Sequence, residues 1–350
     1  MGKKKKIAIG IIAVGIIIVL LMSVPMPGLP VRMSIGEFLR NYLLLTYDIE
    51  LPEIFPTPKP EIIPKGKIAF AVIPDYDYGS IYIADADGKN ITLLIKDIRI
   101  RGDIAWSPDG QKIAFIGIGG EVVDGNIYVV NMRGKISRLV RLSQMRINNL
   151  DWSPDGKYIV FEATSYQKIE GNTTGMSGIR IGNTFYAEAG SGIYIMNADG
   201  TNITKIVEKG KYPAWSPDGK KIIFISCREN EYGKIYIINT NDGNITKLTI
   251  DSNITKITIG ESFTWRPDGK KIAFVCWIGE TQQICVMNVD GTNLTIVTNF
   301  QGVMNIKELN YSPDGKKIAF VSGSEIYIIN ADGTNLTKLA EGNYPTWSPP

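Results

Sequence analysis

The sequence predicts an all-β protein: a six-bladed β-propeller with four-stranded blades, preceded by an N-terminal transmembrane helix. The first observation is an internal repeat over residues 66–350, in which a turn motif and a strand motif alternate. The second is its period of 45 to 63 residues, which suits one four-stranded sheet per repeat and contains no segment of helical periodicity. The third is that the sequence stops at residue 350 within the turn motif, which predicts a ring closed by its two ends.

Each repeat divides into four strands, named a to d from the centre of the wheel outward. Strand a ends at an aromatic residue, and Ser-Pro-Asp-Gly then forms a tight turn, because proline fixes φ and glycine accepts a positive φ. Strand b (KIAF) is apolar almost throughout, strand c (IYIIN) follows, and an Asp-Gly turn leads to strand d (NLTKL). Sheets that are apolar on both faces stack radially without long free edges. The turn motif begins at Trp106, Trp152, Trp215, Trp265 and Tyr311.

The strand count predicts how the ring closes. Strands b, c and d each occur six times, but a full strand a with its Asp-Gly turn occurs five times. The first strand b, in residues 66–70, has no aromatic motif before it, and the last strand a, in residues 343–350, has no strand b after it. We therefore expect the C-terminal strand to pair with the first repeat. The alternative is that residues 61–70 contain a degenerate strand a of their own.

The N-terminal part of the chain predicts a membrane anchor and a spacer. Residues 1–25 contain four lysines followed by an uncharged apolar run, residues 7–24, close to the length that spans a bilayer as a helix. The lysines favour a cytoplasmic N-terminus, so that the propeller is extracytoplasmic on the cell membrane; a cleaved signal peptide is the alternative. Residues 26–65 are read as a short helix, residues 34–47, and a proline-rich extended spacer, residues 51–64.

Composition excludes several classes of function. Beyond the four N-terminal lysines the charges nearly cancel, so no basic field exists to attract nucleic acid. Histidine is absent, which excludes Ser-His-Asp catalysis, Cys-His catalysis and histidine-ligated metal sites. The three cysteines have no Cys-x-x-Cys spacing. No catalytic residue, metal or cofactor is predicted.

The repeat W-S-P-D-G-x-K-I-A-F followed by I-Y-x-x-N-A-D-G-T-N resembles the TolB-type, WD-like β-propeller repeat over residues 66–350. The resemblance implies a six-bladed propeller that binds partner proteins outside the cytoplasm. TolB-type proteins also carry an N-terminal α/β domain, for which residues 25–65 are too short. Similar repeats occur in prolyl-oligopeptidase-like peptidases and in oligogalacturonate lyases, and both kinds of enzyme depend on a histidine that this chain lacks.

A ring of polar residues at the channel mouth is the main candidate binding site. In each repeat the residue three positions before the aromatic is polar or tyrosine, and the residue two positions before it is apolar. Because side chains alternate between the two faces of a strand, we expect the two sets to lie on opposite faces. The ring is either a solvated funnel or a binding mouth in which Asp103 and Glu308 attract a cation or a basic peptide. The ring residues are Asp103, Asn149, Tyr212, Ser262, Glu308 and Tyr344.

The variable b–c and d–a loops open at the same end as this ring, and loops on a rigid scaffold commonly carry binding residues. An insertion over residues 162–191 lengthens the third repeat. The candidate rim residues suit a protein-binding surface, although they are equally compatible with ordinary loop positions. They are Tyr76, Tyr78, Arg228, Glu231 and Tyr232.

Two covalent modifications are compatible with an extracytoplasmic location. Cys276 and Cys285 flank the b–c hairpin of the fifth repeat and face each other if residues 280–281 form its turn, so a disulfide is one interpretation and two small buried side chains the other. Among the Asn-x-Ser/Thr sequences, Asn172 in the insertion is the best candidate for glycosylation.

Together these features predict a membrane-anchored, extracytoplasmic, non-catalytic scaffold that binds an envelope or extracellular protein or peptide. Two alternatives stay open. One is a carbohydrate- or envelope-binding module, favoured if aromatic side chains line the mouth. The other is an enzyme at the channel mouth that works without histidine; it would need several convergent charged groups, and the ring contains two acids among its six residues.

Overall fold

The computed structural model describes residues 66–74, 78–118, 124–169, 177–181, 184–228, 233–248, 257–301 and 304–350. The expected anchor (residues 7–24), helix (residues 34–47) and spacer (residues 51–64) lie outside the described residues. Within the described ranges no helix is long and apolar enough to cross a membrane.

The described chain folds into six antiparallel sheets, which are the six expected blades. Blade 1 begins with β1 (Lys67–Val72), β2 (Gly79–Asp85) and β3 (Thr92–Ile98). Blade 2 contains β4 (Ile100–Trp106), β5 (Lys112–Ile118), β6 (Gly125–Asn131) and β7 (Ile136–Leu142). Blade 3 contains β8 (Met145–Trp152), β9 (Tyr158–Ile169), β10 (Gly178–Ile181), β11 (Thr184–Asn197) and β12 (Thr204–Glu208).

The second half of the ring repeats this plan. Blade 4 contains β13 (Gly210–Trp215), β14 (Lys221–Ser226), β15 (Lys234–Asn239) and β16 (Ile245–Lys247). Blade 5 contains β17 (Ile257–Trp265), β18 (Lys271–Ile278), β19 (Thr281–Asn288) and β20 (Thr295–Ile296). Blade 6 contains β21 (Ile306–Tyr311), β22 (Lys317–Ser322), β23 (Glu325–Asn330) and β24 (Thr337–Glu341). The last strand, β25 (Asn343–Trp347), returns to blade 1.

The closure predicted from the repeat count is confirmed. β25 pairs antiparallel with β1, with Ile68 opposite Trp347. The Ser348 N–H donates to the Lys67 carbonyl over 2.8 Å, and the Lys67 N–H donates to Ser348 Oγ over 3.0 Å. Because β25 occupies the innermost position of blade 1, the alternative strand in residues 61–70 is not needed.

The hydrophobic core consists of six clusters, one between each pair of neighbouring blades. Each strand b supplies a buried phenylalanine, and in blade 2 Phe115 stacks on Tyr128 of strand c with ring centroids 5.4 Å apart. Blade 5 departs from this pattern, because Cys285 replaces the tyrosine opposite Phe274. The repeated strand motif therefore supplies both faces of each inter-blade core.

Cys276 and Cys285 form a disulfide, and their Cα atoms are 6.0 Å apart. The hairpin register differs from the expected one. Ile278 pairs with Thr281, so residues 279–280 form the turn, and Cys276 lies opposite Gln283. The two cysteines are therefore diagonal neighbours on one face of the sheet and not a directly opposed pair.

The insertion in blade 3 extends the b–c hairpin. β9 and β11 pair from Tyr158 opposite Asn197 to Ile169 opposite Phe185, so this hairpin is longer than those of the other blades. β10 pairs with the part of β11 that extends beyond the blade. Tyr166 and Tyr186 are buried against each other in a small satellite core. The described part of the insertion is therefore a β-sheet flap, and it adjoins the end of the propeller where the ring residues lie.

Candidate functional site

A central cavity of about 510 Å³ opens among the innermost strands, and the structure brings all six ring residues together around it. It lies toward the start of strand a in the blades, at the end where the b–c and d–a loops emerge. The six are contributed by six different blades, because equivalent positions of a radial repeat converge on the axis. They are Asp103, Asn149, Tyr212, Ser262, Glu308 and Tyr344.

Each ring residue lies in a β-bulge of its innermost strand. In blade 6, Lys307 pairs with Val321 and Asn310 with Ala319, so three steps along β21 correspond to two along β22. The innermost strands of blades 1, 3 and 4 show the same shift of three steps against two. Those of blades 2 and 5 show a larger shift, four steps against two. Tyr212, Glu308 and Tyr344 adopt left-handed φ angles of 53°, 59° and 56°. Such backbone is uncommon for large side chains and concentrates at functional sites.

The apolar residues next to the ring also border the cavity, but most of their side chains pack in the cores between blades. Ile104, Leu150, Phe263 and Leu309 belong to the inter-blade clusters, as the alternation of faces predicts. Pro213 and Pro345 border the cavity at the same position of blades 4 and 1.

The polar ring side chains also connect neighbouring blades. Asp103 Oδ2 accepts from Asn149 Nδ2 over 2.9 Å, and Ser262 Oγ accepts from the Leu309 N–H over 2.8 Å. Glu308 Oε2 accepts from the Tyr344 N–H of blade 1. Since the bulges remove ladder partners from the innermost strands, these side chains supply acceptors that the sheet no longer provides.

Two further acids line the cavity and were not expected from the sequence. Asp151 Oδ2 accepts from the Trp215 N–H over 2.8 Å, linking blade 3 to blade 4. Glu162, at the base of the flap, accepts from Asn148 Nδ2 over 3.0 Å and from the Tyr212 N–H over 3.1 Å. Asp151 follows Asn149 by two residues, so alternation alone could have found it; Glu162 has no equivalent signal.

Four basic side chains also line the cavity and were missed. They occur four, five or six residues before the aromatic of their blade, so no single repeat position indicates them. Lys307 Nζ lies 3.7 Å from Glu308 Oε1. The cavity therefore combines four acids with four cations. The four cations are Arg101, Arg146, Lys211 and Lys307.

Burial among protein atoms raises the pKa of the cavity acids. It raises the pKa of Asp103 to about 6, opposed by the hydrogen bonds from Asn149 and from the Leu150 N–H. It raises the pKa of Asp151 and of Glu308 to about 7 each, and the charge of Asp103 adds to both shifts. The pKa of the Tyr344 hydroxyl is raised by burial and then by Glu308. These carboxyls therefore exchange protons near neutral pH.

The expected rim residues are described only in part. The ring of Tyr78 is 43% exposed, and the Arg99 guanidinium lies 5.4 Å from its centroid. The Arg228 N–H donates to Ser226 Oγ over 3.3 Å at the end of β14. Tyr76, Glu231, Tyr232 and the glycosylation candidate Asn172 lie outside the described residues. In the described part of the chain, no group of three or more Cys, Asp or Glu side chains is placed to hold a metal ion.

Sequence comparison gives partial matches to a protein family and to a curated relative. The family model "Eukaryotic translation initiation factor eIF2A", a WD-like propeller family, matches residues 65–174, which is less than half of the chain. The "Uncharacterized peptidase YuxL" of Bacillus subtilis (strain 168) is 38% identical over 73 residues. That match spans 21% of this chain and 10% of the relative, so most of the relative has no counterpart in it.

Comparison with solved structures finds chains of similar fold. TolB from Acinetobacter baumannii has a TM-score of 0.61 at 22% identity, covering 81% of this chain and 67% of that one. A putative TolB from Agrobacterium tumefaciens has a TM-score of 0.58 at 20% identity, covering 80% and 95%. A chain of a nidogen/laminin complex has a TM-score of 0.58 at 11% identity, covering 81% and 98%. At these identities the likeness concerns the fold, and it confirms the resemblance to TolB-type propellers.

Proposed function

We propose that this protein is a membrane-anchored, extracytoplasmic propeller that binds a protein or peptide segment in its central cavity without catalysing a reaction. The observation that carries the proposal is the cavity itself, about 510 Å³ in volume and lined by residues from bulged innermost strands. Concave sites with several precisely placed polar groups are the usual form of binding sites. The partner is an envelope or extracellular protein.

The hydrogen bonding of the acids supports a non-catalytic role. Asp103, Asp151 and Glu308 all accept hydrogen bonds from a neighbouring blade, so each contributes to the assembly of the ring. A catalytic base or nucleophile needs lone pairs directed at the substrate. The chain also has no histidine to serve as an acid–base group. The anchor read from residues 7–24 supports the location, because it would hold the propeller outside the cytoplasm.

The proposal is tested by photo-crosslinking in cells of the native host. Tyr212 in the cavity is replaced by the photoreactive amino acid p-benzoylphenylalanine in the full-length chain. Tyr158, 40% exposed at the start of β9 beside the opposite-end turn, receives the same replacement as a matched control. We expect one discrete crosslinked adduct at position 212 and none at position 158. No adduct at 212, or the same adducts at both positions, contradicts the proposal.

One observation favours a second candidate, an enzyme at the channel mouth. Burial raises the pKa of both Asp151 and Glu308 to about 7, a value suited to proton transfer at neutral pH. This candidate predicts that the Asp151→Asn variant still binds the crosslinked partner but no longer converts it. A partner that is recovered chemically unchanged from the wild-type protein rules it out.

A further inference from the structure

We propose that the group accepted by the central cavity is anionic, the carboxylates of an acidic peptide segment. This inference rests on the proposed function and names the chemistry of its ligand. It reverses the sequence-based interpretation, in which Asp103 and Glu308 attract a cation or a basic peptide.

The cations of the cavity are the first reason. Arg101, Arg146, Lys211 and Lys307 all line it, and they come from four different blades. The Nε of Arg146 is enclosed and meets no hydrogen-bond acceptor among the described residues, although its guanidinium also interacts with the Tyr166 hydroxyl. Because Arg146 lines the cavity, a ligand carboxylate there would interact favourably with the charge of its guanidinium.

The commitments of the acids are the second reason. Asp151 accepts from the Trp215 N–H, Glu162 accepts from the Tyr212 N–H, and Glu308 accepts from the Tyr344 N–H. A ligand cation would have to compete for oxygens that already satisfy backbone donors of the next blade. The acids therefore act mainly in linking neighbouring blades. A bound anion would leave these hydrogen bonds in place.

The balance of charge is the third reason. Arginine and lysine stay charged at neutral pH, while burial holds the pKa of Asp103 at about 6 and those of Asp151 and Glu308 at about 7. Burial also raises the pKa of the neighbouring Tyr344 hydroxyl, which therefore stays neutral. The cavity consequently gains net positive charge as pH falls from 8 towards 5.5. A bound anion stabilises the protonated form of these acids, so binding of the anion is coupled to proton uptake. The affinity for the anion therefore rises as the pH falls.

The test is a selection from random dodecapeptides displayed on phage, using the full-length chain. We expect enrichment of peptides rich in Asp and Glu. We also expect the Arg146→Gln/Lys307→Gln variant to lose that enrichment, whereas the control Lys270→Gln/Lys316→Gln, two exposed lysines at the opposite-end turns, retains it. Thermal melts confirm that both variants fold. A synthetic enriched peptide should bind about tenfold more tightly at pH 5.5 than at pH 8.

The outcomes separate this inference from the proposed function. Enrichment of basic or uncharged peptides, acidic peptides that bind the cavity variant equally well, or affinity that weakens toward pH 5.5 each overturns the anionic ligand. Absence of any enrichment overturns it too. In all of these cases the adduct formed through position 212 still decides whether the cavity binds a partner.

Discussion

The two ends of the propeller are built on opposite principles. At the turn end, the same hydrogen bonds recur from blade to blade: in blade 2 the Gly110 N–H donates to the Ser107 carbonyl over 2.8 Å, and the Lys112 N–H donates to Ser107 Oγ over 2.9 Å. At the cavity end, the six bulges present five kinds of side chain, and neighbouring blades are linked through different donors and acceptors. Repetition therefore marks the part of the molecule that specifies the fold.

The difference has a physical origin. The Ser-Pro-Asp-Gly turn satisfies its own backbone locally, so every blade can use the same solution. A bulge leaves backbone groups without ladder partners, and side chains from another blade have to satisfy them. Several side chains at the cavity end therefore both accept a hydrogen bond from the next blade and line the cavity, as Asp151, Ser262 and Glu308 do.

The largest expected effect is at the turn end. Trp106 is buried, and its indole Nε1 donates to the Thr346 carbonyl of the closing strand over 3.1 Å. Trp106→Ala removes this link and leaves a void between blades 1 and 2, so we expect the free energy of unfolding to fall by about 3–5 kcal/mol. Urea unfolding measures it, with Tyr158→Ala as an exposed control expected to change by less than about 1 kcal/mol. A loss below 1 kcal/mol for Trp106→Ala contradicts the assignment.

The next effect is at the cavity end and depends on pH. Glu308 has a pKa of about 7 in the folded protein, above its ordinary value of 4.5, so the folded state binds the extra proton between these values. Stability is therefore lost as pH rises from 4.5 to 7. Glu308→Gln removes this loss and keeps an acceptor for the Tyr344 N–H. We expect it to unfold like wild type at pH 4 and to be more stable by about 2–3 kcal/mol at pH 8.

Urea titrations of both proteins across this pH range check the prediction. Asp103 and Asp151 contribute with the same sign in both proteins, so the difference between the two curves reports Glu308 together with its coupling to Asp103. Asp314→Asn at a turn provides the comparison from the other end. Hydrogen bonds from Ser312 and from the Lys316 N–H lower the pKa of Asp314, so this variant should lose stability relative to wild type as the pH rises through the range in which the carboxyl ionises. Parallel curves for wild type and Glu308→Gln would show that Glu308 is not destabilised by burial.

The fold could be predicted because its information is repeated. The aromatic-Ser-Pro-Asp-Gly motif marks the end of strand a in blade after blade, and the incomplete copies at the two ends identify β1 and β25 as partners. A register error in a single hairpin, such as the one at residues 279–280, does not affect the ring. Such an error persists because adjacent turns of similar composition imply different cross-strand partners.

The site could be predicted only where it follows the repeat. The six ring residues share one offset from the aromatic, so radial symmetry brings them together. The bulges carry no sequence signal of their own, so their positions could not be predicted from the repeat. The cations differ in their offsets, and Glu162 reaches the cavity from strand b, so their convergence depends on three-dimensional positions that no repeat encodes.

We expect a smaller effect on stability from reducing the disulfide, which cross-links β18 and β19 at the cavity end of blade 5. Cys276 and Cys285 are separated by nine residues, so the bond restricts a short loop of the unfolded chain. Reduction should lower the free energy of unfolding by about 2 kcal/mol, measured by urea unfolding with and without a reductant. Cys227 is not disulfide-bonded, and Cys227→Ala should respond to the reductant like wild type. An unchanged midpoint after verified reduction contradicts the prediction.

The smallest effect comes from a matched pair of serines that separates the two ends most sharply. Ser312 Oγ at a turn accepts from the Lys317 N–H over 2.9 Å, and Ser262 Oγ at the cavity accepts from the Leu309 N–H over 2.8 Å. Each serine-to-alanine change leaves one backbone donor without its acceptor, and Ser312→Ala also removes the hydrogen bond that Ser312 Oγ donates to Asp314 Oδ1. We expect a loss of about 1 kcal/mol in each variant, because the donor at Ser262 is the more deeply buried. Peptide affinity should change several-fold in Ser262→Ala and stay constant in Ser312→Ala, because one side chain lines the cavity and the other supports a turn. Equal affinities in the two variants, measured by fluorescence anisotropy, would remove the functional distinction between the ends.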